Sequence, residues 1–212
     1  MSFATKAVRV VSAYVALAPF LAAAEEFAGD ELVATTALEL ATAIETRRAE
    51  FEADPFAIYA LVDTLLRPRF DMERASRGIL AQHWKTTLPE EHARFREAFY
   101  NYLVASYGKL LLHFKRDTLR VLPFDDDVTT PPVRVKTILT MNDGTEVDVQ
   151  FSMVRVGDEW EIVDVFAKGV SYVQLYRSQF KVDIATDGFD SVVDWLEGKG
   201  ASRFPVSRPA PP

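Results

Sequence analysis

The chain has 212 residues, no cysteine, and 24 Lys and Arg against 31 Asp and Glu, a formal charge of −7. That balance speaks against a nucleic-acid binder, which needs clustered cations on phosphate, and against direct adhesion to anionic membrane surfaces. Without thiols, stability has to come from an apolar core, which a chain of this length can build.

The opening stretch MSFATKAVRVVSAYVALAPFLAAAEE has cations at Lys6 and Arg9, an apolar run from Val10 to Leu21, and small residues at Ala22 and Ala24. This layout predicts a cleavable secretory signal over residues 1–24, because the run is shorter than the ~20 apolar residues of a comfortable bilayer span. Cleavage removes two cations and no acid, leaving 22 positive charges against 31 negative ones, or −9. The expectation is an exported protein of the periplasm, with one domain over 25–200. That domain divides into a helical half, 30–116, and a sheet with C-terminal helices, 117–200. The Pro-rich tail 201–212 reads as disordered.

Residues 31–50 carry Val33, Ala37, Leu40 and Ile44 at helical spacing. In ADPFAIYALVDTLLRPRF, Asp54 is a cap, Pro55 suits the first turn, and Pro68 ends the run. Asp71 caps the next helix, which has Met72, Ala75, Ile79 and Leu80 on one side. Thr87 and Glu90 have capping-box spacing, and the helix they open is expected to run to Phe114. Its apolar face is wide for a surface helix.

From residue 118 the period changes to two. TLRVLPF is a short strand, and PVRVKTILTM and EVDVQFSMV are joined by NDGT, a strong hairpin signal because Asn, Asp and Gly tolerate positive φ. A fourth strand starts at Trp160. The class is therefore α+β, with a four-stranded antiparallel sheet and about six helices. Alternation puts Val133, Val135, Thr137, Leu139 and Met141 on one face with Val147, Val149, Phe151 and Met153, so the covered face is nearly pure hydrocarbon. After KGVS, where Ser171 caps, a helix places Tyr172, Tyr176 and Phe180 at every fourth position, and GFDSVVDWLEG forms a last one.

Chemistry has few candidates. His83, His92 and His113 lack metal-type partners at helical spacing, and there is no G-x-S-x-G or Gly-rich phosphate loop. DDDVTTPP lacks the glycine and glutamate of a calcium loop and reads as a solvated turn. No enzyme activity, cofactor or metal is expected. Asp164, among apolar neighbours in WEIVDVF, is either a catalytic carboxylate or an acceptor of N–H groups from the KGVS turn. The second reading is favoured, because a buried carboxylate needs such partners. Gly169, Ser171 and Arg177 are assigned structural roles beside it.

EIVDVFAKGVSYVQLYRSQF followed by GFDSVVDWL resembles the C-terminal part of the MlaC, or toluene-tolerance, family. RFDMERASRGILAQHWKTTLPEEHARFREAFYNYLVASYGKLLL is similar to that family's helical half, with landmarks at Phe70 and Asp71, Ser76 and Arg77, Leu80 and Trp84, and Phe95 and Phe99. Ala81 stands where members often have glycine, and Lys168 where an acidic residue is common. The resemblance implies a nuclear-transport-factor-like cone around an apolar pocket for phospholipid acyl chains. It also implies a monomer shuttling between an inner-membrane MlaD-containing ABC complex and an outer-membrane MlaA-porin complex. The alternative is an enzyme on such a cone, with Asp164 and a tyrosine as its acid-base pair.

On that implication, the lining expected from the sheet is Val135, Leu139, Val147, Val149, Phe151 and Met153, with Ile162 or Val165, which alternate so that at most one points inward. From the helices it is Ile79, Trp84, Phe99, Leu103, Tyr107 and Leu111, continued by Val173, Tyr176 and Phe180. The Tyr172, Tyr176 and Phe180 stripe is the expected moving wall.

Overall fold

The computed structural model describes residues 28–141 and 143–201. The expected signal over 1–24, and the tail apart from Ala201, lie outside the described residues.

The helical half comprises α1 (Gly29–Thr46), α2 (Arg48–Ala53), α3 (Ile58–Leu65), α4 (Met72–Leu80) and α5 (Pro89–Tyr107). Asp54 and Asp71 act as the sequence predicts: Asp54 Oδ1 accepts from Phe56 N at 2.9 Å, and Asp71 Oδ1 from Arg74 N at 2.7 Å. Each satisfies a donor that its helical turn would otherwise leave open. The start of α5 differs by one residue from expectation. Leu88 is the N-cap, and Glu91 reaches back to accept from its N–H at 2.5 Å. Thr87 bonds instead to His83 O at 2.8 Å and to His92 Nε2 at 2.9 Å.

Helix α5 also stops short of Phe114. At Gly108 the backbone tightens into a 3-10 segment, Gly108–His113. A Cβ at Gly108 would lie 2.8 Å from the Tyr59 ring, so this close approach requires glycine. The tighter winding turns Leu110 and Leu111 off the α5 face.

The sheet is a meander of β1 (Leu119–Val121), β2 (Val133–Thr140), β3 (Glu146–Val156), β4 (Glu159–Ala167) and β5 (Val170–Ser171), all antiparallel. The sequence predicts four strands; the fifth is two residues long, too short to show a period. It is set by a tight turn in which Lys168 and Gly169 have φ of 51° and 78°, the pairing of left-handed residues that matches strand twist. Two helices follow, α6 (Tyr172–Asp187) and α7 (Phe189–Gly200), making seven among the described residues.

One irregularity redirects the inner face. The β3–β4 register shifts between Ser152 and Met153: Ser152 faces Asp164, whereas Met153 faces Ile162. The extra residue, Val163, is a β-bulge, which resets the alternation. Ile162 and Val165 therefore both lie opposite inward residues, Met153 and Phe151, which overturns the expectation that only one could. The acidic loop forms local pairs: Asp125 with Lys136 at 2.7 Å, Asp126 with Arg134 N at 3.0 Å, and Asp127 with Thr129 N at 2.8 Å.

Three apolar clusters result. One joins α4, α5, α6 and α7; a second joins α1, α2, α3 and α5; a third sits on the inner face of the sheet.

An apolar cavity between the first helix and the sheet

The inner sheet face is only partly filled by protein. Val133, Val135 and Met153 are fully buried and belong to a cluster with Val33, Phe70, Phe124 and Trp160. Leu119, Leu139, Val149, Phe151 and Ile162, on β1 to β4, form the floor of a cavity of about 460 Å³. The rungs that hold Leu139 and Ile162 are six β3 residues apart, Val147 to Met153, or roughly 20 Å at about 3.4 Å per residue. Thr137 is buried on this face and donates to Val149 O at 2.8 Å, so it adds no unsatisfied group.

Helix α1 forms one wall, with Leu32, Val33, Thr36, Ala37 and Leu40 at the spacing that puts them on a single face. Leu66, Arg69 and Phe70 close a second side. The 3-10 segment and its exit supply Leu110, Leu111, His113 and Phe114. Thr140 and Met141 complete the lining at the end of β2. Leu110 and Met141 are 64% and 48% exposed, which marks the apolar rim of the opening. The volume falls within the ~300–1,000 Å³ of typical ligand pockets. With hydrocarbon over most of its wall, the cavity selects for an apolar guest.

Five of the predicted lining residues meet here: Leu111, Leu139, Val149, Phe151 and Ile162. Val135, Met153 and Val165 lie on the same face but pack against protein and do not line the cavity. Val147 pairs with Leu139 but does not reach the cavity. Of the remaining helical candidates, Tyr107 is exposed and touches the other cluster only at its rim, and the rest lie in that cluster. Ile79, Phe99, Tyr176 and Phe180 are buried there, with Trp84, Leu103 and Val173 packed against them. Phe95 meets Phe180 edge-on at 6.0 Å, and Phe99 meets Tyr176 and Phe180 edge-on at 4.9 and 6.2 Å. The stripe expected to be a moving wall is thus part of a closed aromatic core. Burial and a 3.3 Å contact between its hydroxyl and that of Tyr107 hold Tyr176 neutral, far above the usual phenol range. Trp84 stacks on His92 at 3.6 Å.

What the sequence reading missed is the α1 wall, Arg69 and the rim. The α1 signal was present in Val33, Ala37 and Leu40; the break at Gly108 that aims Leu110 and His113 at the cavity was not.

The structural residues behave as a set. Asp164 Oδ1 accepts from Val165 N at 2.8 Å and Val173 N at 3.0 Å, and its Oδ2 accepts from Ser171 Oγ at 2.5 Å. Ser171 Oγ in turn accepts from Gln174 N at 3.0 Å and caps α6. Arg177 Nε donates to Gly78 O at 2.6 Å, tying α6 to α4. Asp164 therefore serves to fix the start of α6.

Comparison with known proteins places this geometry. A family model described as MlaC protein matches residues 34–198. The toluene tolerance protein ttg2D of Pseudomonas putida is 28% identical over 187 residues, 86% of each chain. The intermembrane phospholipid transport system binding protein MlaC of Haemophilus influenzae is 18% identical over 169 residues, covering 78% of this chain and 79% of its own. Among solved structures, a phospholipid-binding protein from Ralstonia solanacearum, determined in complex with a phospholipid, shares the fold. Its TM-score is 0.74 at 20% identity, over 82% of this chain and 97% of its own.

Proposed function

The chain belongs to the MlaC family, and from that premise we propose that it is a phospholipid carrier of the periplasm, a binding protein and not an enzyme. It shuttles lipid between an inner-membrane MlaD-containing ABC complex and an outer-membrane MlaA-porin complex. The observation that carries this reading is the 460 Å³ apolar cavity between α1, the Gly108–His113 segment and the sheet.

The physical task is clear. Each methylene exposed to water costs ~0.8 kcal/mol, so two acyl chains of about thirty methylenes meet a barrier on the order of 20 kcal/mol. A carrier replaces one hydrocarbon environment with another, and its pocket must roughly match the bilayer so that release remains possible. At roughly 30 Å³ per water-sized group, the 460 Å³ volume holds on the order of fifteen methylenes, about one chain. Taking up a two-chain lipid therefore requires the walls to part.

Among the described residues no helix is long and apolar enough to cross a membrane, which fits a carrier that moves between membranes. The test is organic extraction of the purified native protein followed by lipid mass spectrometry. Stoichiometric phospholipid is expected; an extract free of lipid from protein that is folded and never exposed to detergent refutes the carrier reading.

A further inference from the structure

The cavity is not uniformly hydrocarbon. Arg69 is half-buried in its wall, and among the described lining residues it is accompanied by no aspartate or glutamate. Its Nε is buried without a hydrogen-bond partner in the described structure, and so is Oγ1 of Thr36, a residue only 9% exposed in the same wall. Buried polar atoms almost always find partners, and leaving a donor unmet destabilises the fold. Both atoms are closed to solvent as well, so neither takes a partner from the cavity; what the wall offers is the rest of the half-buried Arg69 guanidinium, which makes no hydrogen bond or ion pair among the described residues. Arg67, two residues earlier, shows the contrast: its guanidinium pairs with Glu97 at 2.6 Å and lies over the Tyr100 ring at 4.5 Å.

We propose that Arg69 forms a head-group site in which the guanidinium binds the anionic phosphate of a lipid whose chain fills the cavity. This inference rests on the carrier reading and adds to it a polar anchor. A guanidinium matches phosphate geometry with parallel N–H donors. The rest of the protein carries excess negative charge, −7 over the chain, so an unpaired cation at the cavity wall is a local reversal that favours an anion there. Neutral two-chain lipids satisfy the hydrocarbon wall but leave the cation without an anion.

The experiment offers delipidated protein vesicles containing equal amounts of phosphatidylglycerol and a diacylglycerol with the same acyl chains, then re-isolates the protein and quantifies both extracted lipids. The wild type is expected to favour the phospholipid by roughly 10- to 100-fold, the range of a charge-assisted hydrogen-bonded contact. In Arg69→Gln the ratio is expected to fall toward one, and Arg69→Lys retains part of it through its charge. The melting temperature of delipidated Arg69→Gln is expected not to fall, because Nε has no internal partner to lose. A wild-type ratio preserved in Arg69→Gln overturns the site while leaving the carrier intact, and so does a wild type that binds both lipids equally. A wild type that takes up neither lipid overturns both. Inorganic phosphate at millimolar concentration is expected not to displace bound phospholipid; displacement that depends on Arg69 would assign the site to the free anion instead and overturn the head-group reading.

Discussion

Filling the cavity from α1 separates a lipid site from an incidental hollow. Ala37 lines the wall with only a methyl group, so Ala37→Phe projects a ring into the volume that a chain would occupy. That ring displaces about six methylene-sized groups of the fifteen or so estimated above. At ~0.8 kcal/mol per methylene the loss approaches 5 kcal/mol, equivalent to three to four decades in Kd. Some relaxation of the wall reduces this, and the expected result is a fall of at least about a hundredfold in phospholipid binding, read by vesicle uptake and by extraction with mass spectrometry. The fold should tolerate the change, because the ring enters open volume and does not displace packed side chains. Its Tm without lipid is therefore expected to hold or rise. Ala37→Phe that folds normally and still carries a wild-type load of phospholipid would refute the assignment of the acyl chains to this cavity.

Other parts of the structure make separate predictions. Ala81 has φ 49° and ψ −108° at the end of α4, a conformation that strains a residue with a Cβ by about 1–3 kcal/mol. Ala81→Gly is expected to raise Tm by several degrees, about 2–4 °C per kcal/mol in a protein of this size; calorimetry showing a lower Tm would contradict the strain. Asp164→Asn weakens the acceptance from Val165, Val173 and Ser171 and should lower stability by about 2 kcal/mol, while lipid per folded molecule is retained. Loss of binding in the folded variant would instead point to a direct role. Burial, then Asp71 and Glu159, push the Glu161 carboxyl above its ordinary value. The fold thus prefers its protonated form, and this contribution is present at low pH and lost as pH rises through the raised folded value. Glu161→Gln should accordingly gain Tm over the wild type at pH 7 and converge with it near pH 4; an equal difference at both pH values would remove Glu161 as the cause. A disulfide joining α1 to β1 is expected to stop lipid transfer, whereas one joining α6 to β4 leaves it intact; the opposite pattern, followed with fluorescent lipid, would make α6 the gate.

How far the sequence was legible follows from the range of the signals it contains. Period-two alternation placed Leu139, Val149 and Phe151 on the covered face, and the meander formed with the expected antiparallel pairs. Asp71 and Ser171 were readable as caps because their partners lie only three residues away. The bulge at Val163 was not readable: it depends on which residue of β3 opposes Ile162, a long-range property. Nor could local pattern separate Val135 from Leu139. Both are apolar and inward, yet one packs against protein and the other against open volume. Arg69 was hidden for a related reason, since a cation next to Pro68 carries no local sign that α1 will share a cavity wall with it.

The same distinction explains why a hollow can persist beside a rigid core. The rings of Phe95, Phe99, Tyr176 and Phe180 interlock at centroid distances of 4.9 to 6.2 Å, and such pairs add about 0.5–1.5 kcal/mol each beyond their buried area. Arg177 and the Asp164–Ser171 cap then bind α6 to α4 and to the sheet. The cavity side has weaker ties. Helix α1 starts without a side-chain cap, its Thr36 hydroxyl is unsatisfied, and the facing wall is a 3-10 segment, whose hydrogen bonds are poorer than those of an α-helix. Parting the cavity walls for a second acyl chain leaves the aromatic core intact and works against the burial of Leu40 and Ile44 and the 3.1 Å pair of Glu45 with Arg116, whereas parting α6 from its neighbours breaks the aromatic core. On the proposed carrier reading, uptake and release are expected on the α1 side, with the aromatic stripe as the fixed frame; the pair of disulfides above tests which helix moves.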